Sequence, residues 1–265
     1  MTEKGKAEQA LRSGQVDDAL SHLKAAVRAD PADPALRIFL FQLLSIQGDW
    51  DRAMQQLGVI EGLDDSAIAM VRAYQDALNC EKHRTAVFDG KLRPLVMGEP
   101  EPWIARLIEA QQTLAKGDVE QFETLNAQAL EEAPATAGRL NGEPFAWLAD
   151  ADRRFGPVLE MVFNQHYYWV PMNRIQKLTT EEPADLRDLV WLPAEVTWTN
   201  GGQVAAMLPV RYPGISEADG QQRMAMHTDW TSLAEGIEIG VGQRLLATEE
   251  SDFPLLQVRS IEFDR

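Results

Sequence analysis

Cysteine is almost missing from this chain, and its scarcity removes whole classes of chemistry. Cys80 stands alone among 265 residues, so no internal disulfide can form and no thiolate zinc site can be assembled. Histidine is nearly as scarce. His22, His83, His166 and His227 are the only ones, and no two stand four apart, the spacing that sets two imidazoles around one metal on a helix face. No apolar run approaches the roughly 18 residues that a membrane-spanning helix needs, and "MTEKGKAEQAL" lacks the apolar stretch of a secretory signal, so the expected location is the cytoplasm. Positive charge is also in short supply. Lys and Arg number 25 against 41 Asp and Glu, a net charge of −16 with acid in excess in both halves. Such a surface repels phosphate backbones and anionic lipid, which excludes nucleic acid and membrane as expected partners and favours basic or apolar ones.

The familiar catalytic signatures are missing as well. There is no G-x-S-x-G, no P-loop and no G-x-G-x-x-G, and Gly201-Gly202 and Gly240-Val241-Gly242 fit turns better than phosphate cradles. "DADRRFG" starts like a calcium loop at Asp150 and Asp152, but Arg154 takes the third acidic position and no Glu follows at the required distance. The expectation is a protein without catalytic residues, without a cofactor and without stoichiometric metal.

What the chain does have is a repeat. In "ALRIFLFQLLSIQGDWDRAMQQL", Phe39, Leu43, Leu44 and Ile46 fall at helical spacing, and a second apolar set, Trp50, Ala53, Met54 and Leu57, resumes after Gly48-Asp49. Upstream, "LRSGQVDDALSHL" places Gly14, Ala19, Leu20 and Leu23 in the same layout, offset by 48 − 14 = 34 residues. That is the tetratricopeptide period, in which a small residue at the turn and an Ala on the second helix let two antiparallel helices approach closely. "LAKGDVEQFETLNAQALEEAP" is a weaker copy: Pro134 follows Gly117, as Pro31 follows Gly14, by 17 residues, and closes the second helix. Between the copies, Ile68, Val71, Tyr74 and Leu78 predict another helix, capped by Asp65 or Ser66.

After about Ala137 the echo stops. In "LADADRRFGPVLEMV" the spacing of Phe155, Val158, Leu159 and Val162 predicts a helix capped by Asp150 or Asp152 and bent or delayed by Gly156-Pro157. Then come β-like runs, "HYYWVP", "EVTWT", "VAAMLP", "QRLLAT" and "LLQVRSIEF". Asn200-Gly201-Gly202 between the second and third is a hairpin turn, since positive φ is cheap for Asn and Gly. The predicted architecture is a tetratricopeptide-like helical solenoid over 1–136 followed by a compact α+β domain over 137–265 with a mostly antiparallel sheet.

Five ordered blocks, "PADPALRIFLFQLLSIQGDWDRAMQQL", "DADRRFGPVLEM", "YYWVPMNRIQKL", "DLRDLVWLPAEVTW" and "LPVRYPG", resemble the ImpE family, also called TagJ or SciE-type proteins, from about Leu11 to about Glu262. The resemblance implies a cytoplasmic, non-enzymatic accessory protein of bacterial type VI secretion. It implies a partner, the small contractile-sheath subunit TssB or VipA, near the machinery by which the ClpV ATPase disassembles contracted sheath. It carries over no catalytic or contact residue.

The residues themselves leave two readings open. In an adaptor, an amphipathic helix of the partner would seat in the solenoid groove or in an apolar groove near the "YYWVP" strand, where Tyr168 and Trp169 would be aromatic anchors. Strand alternation puts Tyr167 and Trp169 on one face and His166 and Tyr168 on the other, and core packing explains the same pattern. The alternative is a hydrolase-like or small-ligand-binding second domain in which Asp150, Asp152 and Asp188 converge in a cleft. Asp185, Arg187 and Asp188 also fit a capped, salt-bridged segment, and Arg211 in "LPVRYPG" is expected to bind a structural carboxylate.

Overall fold

A computed structural model of the chain describes residues 1–214, 218–234 and 236–264. Helices α1 (Glu3–Arg12), α2 (Val16–Ala29), α3 (Pro34–Gln47) and α4 (Trp50–Glu61) form two antiparallel pairs. The turns lie at Gly14 (φ 72°) and Gly48 (φ 75°), left-handed conformations that a side chain would strain. Ala19 and Ala53 are wholly buried where the paired helices touch. Asp33 starts α3, accepting from the amides of Ala35 and Leu36 with Pro34 in the first turn, and Asp49 caps α4 through the amide of Arg52. The third helical pair is α6 (Pro102–Ala115) and α7 (Val119–Glu132), turned at Gly117 and ended before Pro134. Between them runs α5 (Ile68–Phe88). Its cap differs from the expectation: Asp64, one residue upstream, accepts from Ser66 and opens a 3-10 turn, Asp65–Ala67, that feeds α5.

The rest is a nine-stranded sheet in the order β1-β6-β5-β9-β8-β7-β14-β2-β3, where β1 is Leu95–Val96, β2 Gly138–Leu140, β3 Glu143–Phe145, β5 Val158–Phe163, β6 His166–Pro171, β7 Ile175–Thr180, β8 Trp191–Trp198, β9 Gln203–Pro209 and β14 Ser260–Phe263. Every pairing in it is antiparallel except β1 with β6. A small sheet joins β4 (Ala149–Asp150), β12 (Leu245–Ala247) and β13 (Asp252–Pro254), and β10 (Thr228–Ala234) with β11 (Ile237–Gly242) forms a separate ribbon after the one-turn α8 (Gly220–Arg223). The β8–β9 hairpin turns at Asn200-Gly201-Gly202, with Gly201 at φ 83° and the Asn200 side chain accepting from the Gly202 amide.

Two expected elements are corrected. The helix over 150–162 is instead a loop and β5, all six of whose residues are buried. A strand covered on both faces reads as a continuous apolar run, which periodicity cannot separate from a buried helix. Gly156 at φ 55° interrupts any helix there, and Asp150 and Asp152 accept from amides two residues on, at 2.8 and 2.9 Å, which fixes a tight loop. The run "LLQVRSIEF" is a 3-10 turn, Leu255–Gln257, before β14.

The core crosses the division at residue 137. Val190, Trp191 and Met224 pack with the solenoid core of α1 to α5, while Trp103, Ile104 and Leu107 of α6 pack with Phe155, Tyr167, Trp169 and Tyr212. The edge strand β1 comes from the helical half.

Candidate functional site

Charges are rare in protein interiors unless paired, and here they gather where α5 meets the sheet. One face of α5 carries Glu81 and Arg84, only 5% and 6% exposed. The Arg84 guanidinium grips Glu160 of β5 with two parallel bonds of 2.8 Å and donates to the Arg211 carbonyl at 2.7 Å. Arg244, before β12, reaches the same Glu160 at 2.6 Å and also holds Asp150 at 2.6 and 2.9 Å. Its guanidinium lies 4.3 Å from the centre of the Phe155 ring. Tyr212 donates to Asp150 at 2.8 Å, Tyr167 donates to Glu160, and Trp169 donates to the Tyr167 hydroxyl at 2.7 Å. Asp152 pairs with Arg154 at 2.5 Å and accepts from the Gly240 amide at 2.8 Å. Glu81 accepts from the Trp191 indole at 3.0 Å.

Electrostatics follow from that pairing. Burial pushes the Glu160 carboxyl up, but Arg84 and Arg244 more than offset it and hold its pKa below the usual range. Asp150 is pushed up to about 6 by burial, which Arg244 only partly counters. Burial and neighbouring carboxylates keep Tyr167 and Tyr212 protonated. Each buried carboxylate already has arginine, amide, phenol or indole donors on it.

Asp188 does not join this network. It closes a capping box with Asp185 around the 3-10 turn Leu186–Leu189, accepting from the amides of Ala184 and Asp185 at 2.9 Å, while Arg187 pairs with Asp185. The three carboxylates of the alternative reading therefore do not converge. Arg211 departs from expectation: among the described residues it makes no carboxylate ion pair. It donates to the carbonyls of Ser45 and Ile46, at the end of α3, and to that of Arg223. A helix C-terminus carries partial negative charge and unpaired carbonyls, so it suits a buried guanidinium, although burial lowers the Arg211 pKa to about 9. Among the described residues no group of His, Cys, Asp and Glu could hold a metal, and no helix is long and apolar enough to cross a membrane.

The aromatic strand β6 divides as its alternation requires. Tyr167 and Trp169 are buried against α5 and α6, with the Phe88 ring tilted beside Trp169 at 6.2 Å between centres. Trp169 is 0% exposed and so offers no ring to a partner, which corrects its expected role as an anchor: the sheet face it occupies is covered by the helices. Tyr168 is half-buried and stacks on Phe163 at 4.2 Å. The solenoid face is covered too. Trp191 lies 5.7 Å from Tyr74 and 5.8 Å from Trp50, Arg187 sits over the Tyr74 ring at 4.9 Å, and Arg211 ties off α3. The face of α3 and α5 that a free solenoid would offer to a peptide is filled by the chain's own second half.

Comparison with known proteins follows the same two halves. A tetratricopeptide repeat model matches residues 10–74 and the ImpE protein model matches residues 142–262. The type VI secretion system accessory component TagJ of Pseudomonas aeruginosa is 47% identical over 259 residues, 97% of this chain and 91% of that protein. The chain belongs to the ImpE family. Its fold is shared with the crystal structure of protein VPA1032 from Vibrio parahaemolyticus, at a TM-score of 0.90 and 25% identity, covering 98% of this chain and 97% of that one. In this ImpE chain Asp150, Asp152, Glu160, Tyr212 and Arg244 all lie inside the ImpE match, whereas Glu81 and Arg84 lie outside both matches, on the helix α5 that packs against β6. Sequence reasoning missed Glu160, Arg244 and Arg84. The available signal was Glu160 inside the apolar run "VLEMVF" and Arg244 at the start of the apolar stretch in "QRLLAT".

Proposed function

We propose that this protein is a non-enzymatic accessory component of bacterial type VI secretion that works in the cytoplasm and binds the small contractile-sheath subunit, TssB or VipA, in connection with ClpV-dependent sheath turnover. The observation that carries the reading is the 47% identity, over 97% of the chain, to a protein named a type VI secretion system accessory component. The site geometry speaks against the acidic-cleft alternative, because that reading needs carboxylates facing substrate and Asp150, Asp152 and Glu160 face arginines instead.

An amphipathic helix of the partner needs an apolar floor; the solenoid face is filled from within, and near the "YYWVP" strand Trp169 is buried while Tyr168 is half-buried. A third place suits it better. Ala184, Leu192, Pro193, Ala205 and Ala206 line a shallow groove of about 520 Å³ on β7, β8 and β9, rimmed by Glu181, Glu182 and Glu195. Small apolar side chains admit a helix closely, and the acidic rim suits a helix with basic flanks. The test is a calorimetric titration of the full chain with a peptide from the N-terminal region of the small sheath subunit, near physiological ionic strength. Saturable binding should be lost when the peptide's apolar anchors become Ala, and weakened by Glu182→Lys. No saturable binding to the parent protein would overturn the sheath reading, and binding unchanged by Glu182→Lys would remove the groove from it.

A further inference from the structure

Sheet edges expose unpaired amides and carbonyls, and proteins blunt them with short strands, proline or a covering element. Four edges here follow that rule. β1 and β4 are two residues long, β3 carries Pro144 and β13 carries Pro254. The ribbon's inner strand β11 is covered: its Gly240 amide donates to Asp152, and its Gly242 carbonyl accepts from the Tyr212 amide at 2.9 Å. A side chain at Gly240 would collide with the Tyr212 ring, which locks this strand against the buried network.

The outer strand β10, "TDWTSLA", breaks the rule. It is seven residues long without proline, and its five central residues are exposed. Thr228 to Ser232 pair in continuous register with β11, and the irregularity begins only between Ser232 and Ala234. No described strand pairs with its other side. Trp230 is 38% exposed and packs on Tyr212 with ring centres 6.0 Å apart, so a surface indole is held rigidly beside the open edge. Next to it lies a shallow cavity of about 340 Å³ lined by Ala151, Arg153, Trp230, Ser232, Gly236 and Glu238.

We propose that β10 is a docking edge, on which an extended segment of another protein adds as a third strand of the ribbon. A two-stranded ribbon is marginal by itself, and a third strand completes its hydrogen bonding. Charge specifies the occupant. From Ala218 to Gly242 the chain has four acids against Arg223 and His227. Arg223 is turned to Asp17 and Gln47, His227 is paired with Asp229, and the Arg153 side chain at the cavity is bound to Asn126. The occupant is therefore a segment alternating apolar residues with Lys or Arg. A second copy of this chain, itself at −16, is the less suitable occupant.

This surface is separate from the β7–β9 groove, so its fate does not depend on the sheath titration. The probe is a short peptide alternating lysine and valine, offered to the full chain in a hydrogen–deuterium exchange experiment near physiological salt. Exchange should slow at residues 228–234. A peptide N-methylated along one edge, and one with glutamate for lysine, should bind at least about tenfold more weakly, since the first cannot form the ladder and the second meets like charge. Thr231→Lys should weaken the lysine–valine peptide to a similar degree without lowering the melting temperature. Equal binding by the N-methylated peptide, or protection only outside 228–234, would overturn the proposal. Protection at 228–234 that grows with protein concentration in the absence of peptide would also overturn it, by identifying a second copy as the occupant.

Discussion

Glu160 shows how much one residue can hold. It sits in the middle of β5, wholly buried, and takes hydrogen bonds from Arg84, Arg244 and Tyr167. Glu160→Gln keeps the shape but leaves two buried guanidinium groups short of charge, and losing one partner of a buried ion pair typically costs about 3–5 kcal/mol. The urea midpoint should fall accordingly. The pH dependence has a definite sign. Because Glu160 titrates below its usual 4.5 when folded, its contribution is complete above that pH and lost as the pH falls through the folded value. The stability gap between parent and variant should therefore narrow below pH 4.5. Asp150 acts in the opposite direction, costing stability as the pH rises from 3.8 towards about 6, in parent and variant alike. A gap that widened in acid would contradict the assignment.

At the scale of elements, the repeats were legible because they are local. Gly14 and Gly48 mark turns, and Ala19 and Ala53 mark close approaches, each turn and its alanine within one repeat. Ala53→Phe would force an aromatic ring into a fully packed helix contact, at a cost of about 1–3 kcal/mol. Thermal denaturation should show a lower melting temperature, and no change would place the repeat packing in doubt. Strand β5 was read as helix because its environment is tertiary: β6 and β9 flank it and packing covers both faces, so no polar alternation remains to mark it. The ribbon of β10 and β11 was missed for the converse reason, since the exposed residues of β10 give it no apolar face to alternate.

At the scale of the whole molecule, the two halves share cores and charges. A fragment of residues 1–136 would uncover the faces of Tyr74 and Trp50 that Trp191 covers, and would strip Arg84 of Glu160. That fragment should melt below the full chain and bind a hydrophobic dye such as ANS that the full chain does not. A fragment as stable as the parent, without dye binding, would show that the shared core contributes little.

The sequence by itself determined the helical repeat, the following mostly antiparallel sheet, the hairpin at Asn200-Gly201-Gly202 and the family, because each is written in spacings of a few residues or in ordered blocks along the chain. It also marked Asp185 and Asp188 as a capped turn. Tertiary structure alone decided that Arg84 meets Glu160 across 76 residues, that Arg244 meets Asp150 across 94, and that the chain fills its own solenoid face with Trp191. Local spacing constrains neighbours along a chain, whereas a buried charge takes whichever partner the folded backbone brings within about 3 Å, however far apart the two lie in sequence.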